Sequence, residues 1–206
     1  MNFNKDLFNK TEAKEFGEFE NLELGGHLLT IVAIGEHTNE ISGNTSLKVC
    51  VDISKGDKQE GFFKKQYDSN TNKDKKWSSS GTKYLSLKDE QLAYLKGFIT
   101  AVENSNAGFK FNPDGEWKQL KGLKIAGQFG LEEYEGQDGK IKTITKLIQF
   151  RSIDKLKDIT IPRVKKLDGS LVEYDDYIKH KATATAEEVF GASIVETDNS
   201  TFELEI

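Results

Sequence analysis

The chain has 206 residues, of which 36% are hydrophobic and 31% charged, a composition typical of a folded protein rather than a disordered one. No apolar run approaches the roughly 20 residues that a transmembrane helix needs, and the N-terminus lacks the apolar segment of a secretion signal. We therefore expect a cytoplasmic protein that does not enter a membrane, with its single cysteine, Cys50, as a reduced core residue.

The net charge of −5 conceals an uneven distribution. Residues 25–167 carry 24 basic and 18 acidic side chains, whereas residues 168–206 carry two basic and ten acidic ones. Residues 1–24 are also acidic, with three basic and six acidic side chains. A basic body with acidic ends indicates nucleic-acid contact, but acidic ends that only increase solubility explain the charges equally well.

The first part of the chain predicts three β-strands. Residues 28–34 (LLTIVAI) form a nearly continuous apolar run, and residues 47–53 (LKVCVDI) alternate as a strand with one buried face does. Residues 61–67 (GFFKKQY) alternate more weakly, and we predict the third strand there. Such a strand would place Phe62 and Phe63 on opposite faces of the sheet.

A helix and a hairpin are predicted next. From residue 86, leucine, phenylalanine, isoleucine and valine recur at three- and four-residue intervals, which predicts an amphipathic helix that ends between residues 104 and 108. Residues 123–153 contain two apolar arms around Asp138-Gly139, which predicts a β-hairpin that turns there. Gly127 and Gly130 in its first arm predict a bulge or a bend.

These elements predict a mainly β protein with one central helix. Five strands with a helix between the third and the fourth indicate a barrel of the oligonucleotide/oligosaccharide-binding (OB) type, although other five-stranded α+β arrangements also fit. The expected organisation is an N-terminal arm (residues 1–23), an OB-like domain with a long hairpin (residues 24–167) and a flexible acidic C-terminal tail (residues 168–206).

The residues that could support catalysis are few. His27, His37 and His180 are far apart and have no partners at metal-ligand spacing. Pro-Asp at 113–114 and Asp-Gly-Lys at 138–140 resemble, in spacing, the two halves of a metal-dependent nuclease site, but both segments are better explained as turns. We therefore predict a protein that is not an enzyme and that needs neither a metal nor another cofactor.

Residues 60–84 combine five aromatic side chains with six lysines, and single-strand binders need both types. The residues predicted to bind nucleic acid here are Phe62, Phe63, Lys64, Lys65, Tyr67, Lys75, Lys76, Trp77, Lys83 and Tyr84. Strand alternation would bury either Phe62 or Phe63. Trp77 lies in a loop without apolar periodicity, so it either packs locally or meets a ligand.

The predicted hairpin carries a second basic line, formed by Lys140, Lys142, Lys146 and Arg151. The three lysines share parity, so they project from one face of a regular strand, which can bind phosphates or simply face solvent. Arg151 and Arg163 are the only arginines of the chain. Lysine does not read base edges as arginine does, so we predict binding with weak sequence specificity.

Five segments of the chain form a recognisable succession: LGGHLLTIVAI, SLKVCVDISKGDKQEGFFKKQYD, YLKGFITAVENSNAGFKF, LKGLKIAGQFGLEEYEGQDGKIKT and RSIDKLKDITIPRVKKLDG. In these segments the chain resembles early proteins encoded by phages and prophages of Gram-positive bacteria. This resemblance covers residues 24–169. It implies an OB-like protein that binds single-stranded DNA in a replication or recombination module, in the cytoplasm of an infected or lysogenic bacterium. The matching segments carry no catalytic motif.

The resemblance also implies that the acidic C-terminus docks on replication or recombination proteins. The residues implied in docking are Phe202, Glu203, Leu204, Glu205 and Ile206, although this end departs from the usual run of aspartates that finishes in Pro-Phe. Self-association is left open. A second hypothesis is an OB-like protein-binding module that inhibits or decoys a host defence or repair complex, since acidic surfaces can occupy DNA-binding sites of other proteins.

Overall fold

The computed structural model describes residues 20–190, and their side chains as far as residue 182. It is mainly sheet with a few helices. The strands are β1 (Gly25–Thr38), β2 (Thr45–Ile53), β3 (Thr82–Ser86), β4 (Lys124–Glu135), β5 (Ile141–Arg151), β6 (Val164–Lys165) and β7 (Leu171–Val172). The α-helices are α1 (Phe62–Ser69), α2 (Leu92–Ser105) and α3 (Tyr174–Phe190), and short 3₁₀ helices span Asp89–Gln91, Trp117–Leu120 and Ile153–Asp158.

All seven strands belong to one open sheet. The order is β3-β2-β1-β4-β6-β7, and β5 pairs with β4 as the second arm of a hairpin. Every pairing is antiparallel except that of β4 with β6. Within residues 20–190 no ladder joins β3 to β5, but the Leu147 N–H of β5 donates to Ser80 O at 3.2 Å, just before β3 begins. The residues just before β3 therefore meet β5 in the interior of that strand.

The first two predicted strands are confirmed, and together they supply much of the core. Leu29 and Ile31 of β1 are fully buried, as are Val49 and Val51 of β2. Burial of such a side chain contributes about 1.5–3 kcal/mol. Cys50 is also buried, as predicted for a core residue, although it lies on the opposite face of β2 from Val49 and Val51.

The predicted third strand is wrong, because residues 62–69 form helix α1. Phe62 and Phe63 are both buried, with exposures of 5% and 0%, so neither is on an outer face. Asp52 at the end of β2 explains the difference: its Oδ1 accepts the backbone N–H groups of Phe63 (3.0 Å) and Lys64 (3.2 Å). A carboxylate at this place satisfies the free amides of the first turn and stabilises a helix. The third strand in chain order is β3.

The predicted hairpin is confirmed, and so is the predicted helix with its end at Ser105, although the α-helix begins at Leu92 and Ser86 belongs to β3. In α2, Phe98 and Val102 are buried against the sheet. The hairpin turns at Asp138-Gly139, where Gly139 has φ 71°, a backbone conformation that favours glycine. The β4–β5 register shifts between Gln128 and Phe129, but the extra residue is Ile148 of β5, so the bulge lies in the second arm and not in the first, where Gly127 and Gly130 predicted a bulge or a bend.

Regular structure continues after the hairpin and extends to residue 190, so β7 and α3 lie within the first part of the predicted tail, residues 168–206. Strand β6 pairs with β4 at Lys165, and the β6–β7 hairpin leads into α3. Tyr177 of α3 is buried, and its hydroxyl donates to Glu133 Oε1 of β4 at 2.9 Å.

In the described part of the chain no helix has the length and apolar character that crossing a membrane requires. The predicted docking residues 202–206 lie outside the described residues.

Candidate nucleic-acid interface

A groove of about 850 Å³ opens where β3 and β5 separate. We call it the basic groove. One wall consists of β3 and the outer side of α2, and the other consists of the end of β5 with the segment that leads into β6. The lining residues with a cationic or an exposed aromatic side chain are Lys83, Tyr84, Tyr94, Arg151, Lys155 and Arg163.

The charged residues that line the groove are all cations. There are four of them, and among the described residues of the lining there is no aspartate or glutamate. Burial lowers the pKa of Lys83; Glu132 opposes this effect, and Lys165 and Lys146 lower the pKa further. The Lys83 ammonium is therefore short of compensating negative charge, and an anion placed near it would be stabilised.

Two exposed tyrosines face the same space. The exposed fraction is 49% for Tyr84 on β3 and 76% for Tyr94 on α2. Phe98 and Phe150 also line the groove, where their ring centroids lie 4.8 Å apart and join α2 to β5. The Tyr84 ring packs on that of His37, with centroids 5.4 Å apart, and the remaining exposed surface of Tyr84 and the ring of Tyr94 are open to base stacking.

The bulge in β5 decides where Arg151 points. Lys146 and Arg151 are five residues apart and would lie on opposite faces of a regular strand. In the structure Lys146 pairs with Gly130, and Arg151 pairs with Ala126, four residues away on β4. The extra residue, Ile148, therefore brings Lys146 and Arg151 to the same face of the sheet.

Three of the predicted binding residues, Lys83, Tyr84 and Arg151, come together in the basic groove. Phe62 and Phe63 do not, and their predicted role in stacking is wrong, because both rings are buried in the core around Phe129. Lys64 and Lys65 are exposed on α1, where the Lys64 ammonium pairs with Asp68 at 2.6 Å. These lysines do not line the groove.

Trp77 packs locally. Its Nε1 donates to Val51 O at 3.0 Å, and its ring centroid lies 5.5 Å from that of Tyr67. The ammonium of Lys75 lies 4.5 Å from the centre of the Tyr67 ring, a cation–π contact, and Lys76 is exposed beside them. Protein contacts thus account for a tryptophan in this loop, and the cluster does not line the basic groove.

The lysines of the hairpin spread along its length. Lys140 lies in the turn, and Lys142 pairs with Asp138 at 3.0 Å. The hydrogen bond from Lys142 lowers the pKa of Asp138. Lys146 donates to Ser79 O at 3.4 Å, next to the groove rather than in it. In the described residues, no three histidine, cysteine or acidic side chains converge as metal ligands.

The prediction missed Tyr94, Lys155 and Arg163. Tyr94 had a usable signal, because it lies off the apolar face of the predicted helix and is an aromatic residue without a core position. For Lys155 and Arg163 there was none, since they belong to a stretch without clear periodicity. Their place in the groove depends on how the chain returns across the sheet after β5.

Comparison with the models of known protein families finds no match for this chain, and comparison with curated proteins finds none either.

Proposed function

We propose that the protein binds single-stranded DNA in the basic groove and does so without catalysing a reaction. Lysines and arginines of the groove would hold phosphates, and Tyr84 and Tyr94 would stack on bases. The supporting observation is the combination, in one groove, of four cations, no lining carboxylate and two exposed tyrosines. In line with the resemblance noted above, the role we propose is in a replication or recombination module of a phage.

An OB-like barrel is part of this proposal. The strand order β3-β2-β1-β4-β5, with α2 between β3 and β4, is compatible with a partly open barrel of five strands. The hydrogen bond between Leu147 and Ser80 would be the point where its two edges meet. The basic groove would then be the gap that remains where these edges part.

Duplex DNA suits the groove less well than a single strand. The exposed tyrosine rings can stack only on bases that are not already stacked in a duplex. The cations alone would bind any polyanion, so the tyrosines are the residues that favour a single strand in this proposal.

The proposal is tested with a fluorescent oligothymidylate at low salt, using anisotropy. Tyr84→Ala and Tyr94→Ala should each weaken binding by about fivefold or more, because one base stack contributes roughly 1–3 kcal/mol. Tyr134→Ala is the matched control: this tyrosine is 42% exposed on β4 but does not line the groove. It should leave the affinity unchanged.

Two results would contradict the proposal. The first is no detectable binding of the oligothymidylate by the unaltered protein at low salt. The second is an equal effect of all three tyrosine substitutions, which would place the DNA elsewhere. If no DNA binds, the protein-binding module becomes the hypothesis to test against host defence and repair complexes.

A further inference from the structure

Both arginines of the chain line the basic groove. Arg151 ends β5 and Arg163 lies just before β6, so they come from opposite ends of the segment that returns across the sheet. Lysines, in contrast, are spread over the whole surface. The chain thus places its only planar, fork-shaped cations in a single groove. Such a fork matches two acceptors at once, which an ammonium cannot do.

The guanidinium groups are available for a ligand. Within the described residues, the side chain of Arg151 makes no hydrogen bond and no ion pair. Arg163 has one weak contact in this part of the chain, from its Nε to Glu173 Oε1 at 4.0 Å. The side chain of Arg163 is 55% exposed and that of Glu173 is 72% exposed. The outer nitrogens of both arginines are therefore free to donate to a bound strand.

Both arginines line the same groove as Tyr84 and Tyr94. A base stacked on either ring has its face covered, so its edge remains free to accept from a donor of the groove. Guanine offers two adjacent acceptors on one edge, O6 and N7, and these match the arginine fork. Gln149 also lines the groove and donates to Gln128, which orients its amide group for a further contact.

We propose that the basic groove selects guanine within a single strand, with the guanidinium groups of Arg151 and Arg163 reading the O6 and N7 atoms of bases stacked on the tyrosines. This inference rests on the proposed function and changes one expectation. A lysine-rich composition predicted weak sequence specificity, whereas the placement of the arginines gives the groove a means of discriminating between bases.

The test compares three 12-nucleotide strands of thymine in which every third base is guanine, adenine or cytosine. Anisotropy titrations at one low salt concentration should show the guanine strand bound at least about fivefold more tightly, the low end for one bidentate arginine–guanine contact. The double substitution R151K/R163K keeps both charges but removes both forks. This variant should still bind DNA, and it should bind the three strands with equal affinity.

Lys155→Gln is the control, because it removes a charge from the groove and leaves the arginines intact. This variant should weaken the binding of all three strands by the same factor and keep the preference for guanine. Equal affinities of the unaltered protein for the three strands would overturn the inference but not the proposed function. A guanine preference that survives in R151K/R163K would overturn it as well. Circular dichroism before and after heating establishes that each variant is folded.

Discussion

Asp57 is a largely buried carboxylate that joins the start of β1 to the loop after β2. Its side chain is 10% exposed and accepts the backbone N–H groups of Leu28 (2.9 Å) and Gln59 (3.2 Å), while His27 Nδ1 lies 3.1 Å from its Oδ1. Burial would raise the pKa of Asp57, but these hydrogen bonds and the charge of His27 outweigh it and hold the pKa below its usual range. The ionised carboxylate therefore favours the folded state.

We predict that the contribution of Asp57 to stability disappears in acid. It is complete above the pKa of the unfolded chain, about 3.9, and is lost as the pH falls through the lower pKa of the folded protein. Asp57→Asn should lower the free energy of unfolding at pH 7 by about 1–3 kcal/mol, because its amide group cannot accept from both N–H donors.

Urea unfolding at a series of pH values measures this effect. The difference between Asp57→Asn and the unaltered protein should shrink as the pH falls below about 4. Other carboxylates titrate in both proteins and so cancel in the difference. A difference that stays constant into strong acid would contradict the assignment of the effect to the charge of Asp57.

At the scale of elements, helix α2 contributes both to the core and to the basic groove. Phe98 is 3% exposed and packs on Phe150, whereas Tyr94, one helical turn earlier, is 76% exposed, and both residues line the groove. The same helix therefore closes one side of the core and provides one wall of the proposed binding site. Mutations of the buried and of the exposed residue should have separable effects.

We predict that Phe98→Ala lowers the free energy of unfolding by about 3–5 kcal/mol, since it removes a buried ring and leaves a cavity. Tyr94→Ala on the same helix should change it by less than about 0.5 kcal/mol, because that ring is exposed. Chemical denaturation of both variants measures the contrast. Equal stability losses would show that α2 does not pack as described.

At the scale of the whole molecule, the position of charges matters more than their sum. The chain is acidic overall, with a net charge of −5, yet the lining of the basic groove has only cations among its charged described residues. A locally positive surface of this kind attracts a polyanion even when the protein is negative, and salt weakens the attraction.

Binding of a single strand should therefore weaken steeply with salt. Each neutralised phosphate contributes about −0.7 to the slope of log K against log salt, so two to four groove cations predict a slope of roughly −1.4 to −2.8. Lys155→Ala should make the slope less steep by about 0.7 if Lys155 holds a phosphate. Titrations of one oligonucleotide at four salt concentrations give this slope, and an affinity independent of salt would contradict the role of the groove cations.

The amino-acid sequence by itself determined the elements that depend on neighbouring residues. The apolar run of β1, the alternation of β2, the periodicity of α2 and the Asp138-Gly139 turn each follow from side chains a few positions apart, so their prediction succeeded. Lys83, Tyr84 and Arg151 could likewise be proposed as binding residues from their chemistry alone.

Only the tertiary structure decided what depends on residues distant in sequence. Residues 62–69 form a helix because Asp52, eleven residues before Phe63, accepts the amides of its first turn. Arg151 shares a face with Lys146 because one extra residue enters the β4–β5 ladder. Arg163 reaches the same groove because the chain returns across β4 after β5. Local periodicity carries no information about such contacts, since they arise when strands pair and segments pack.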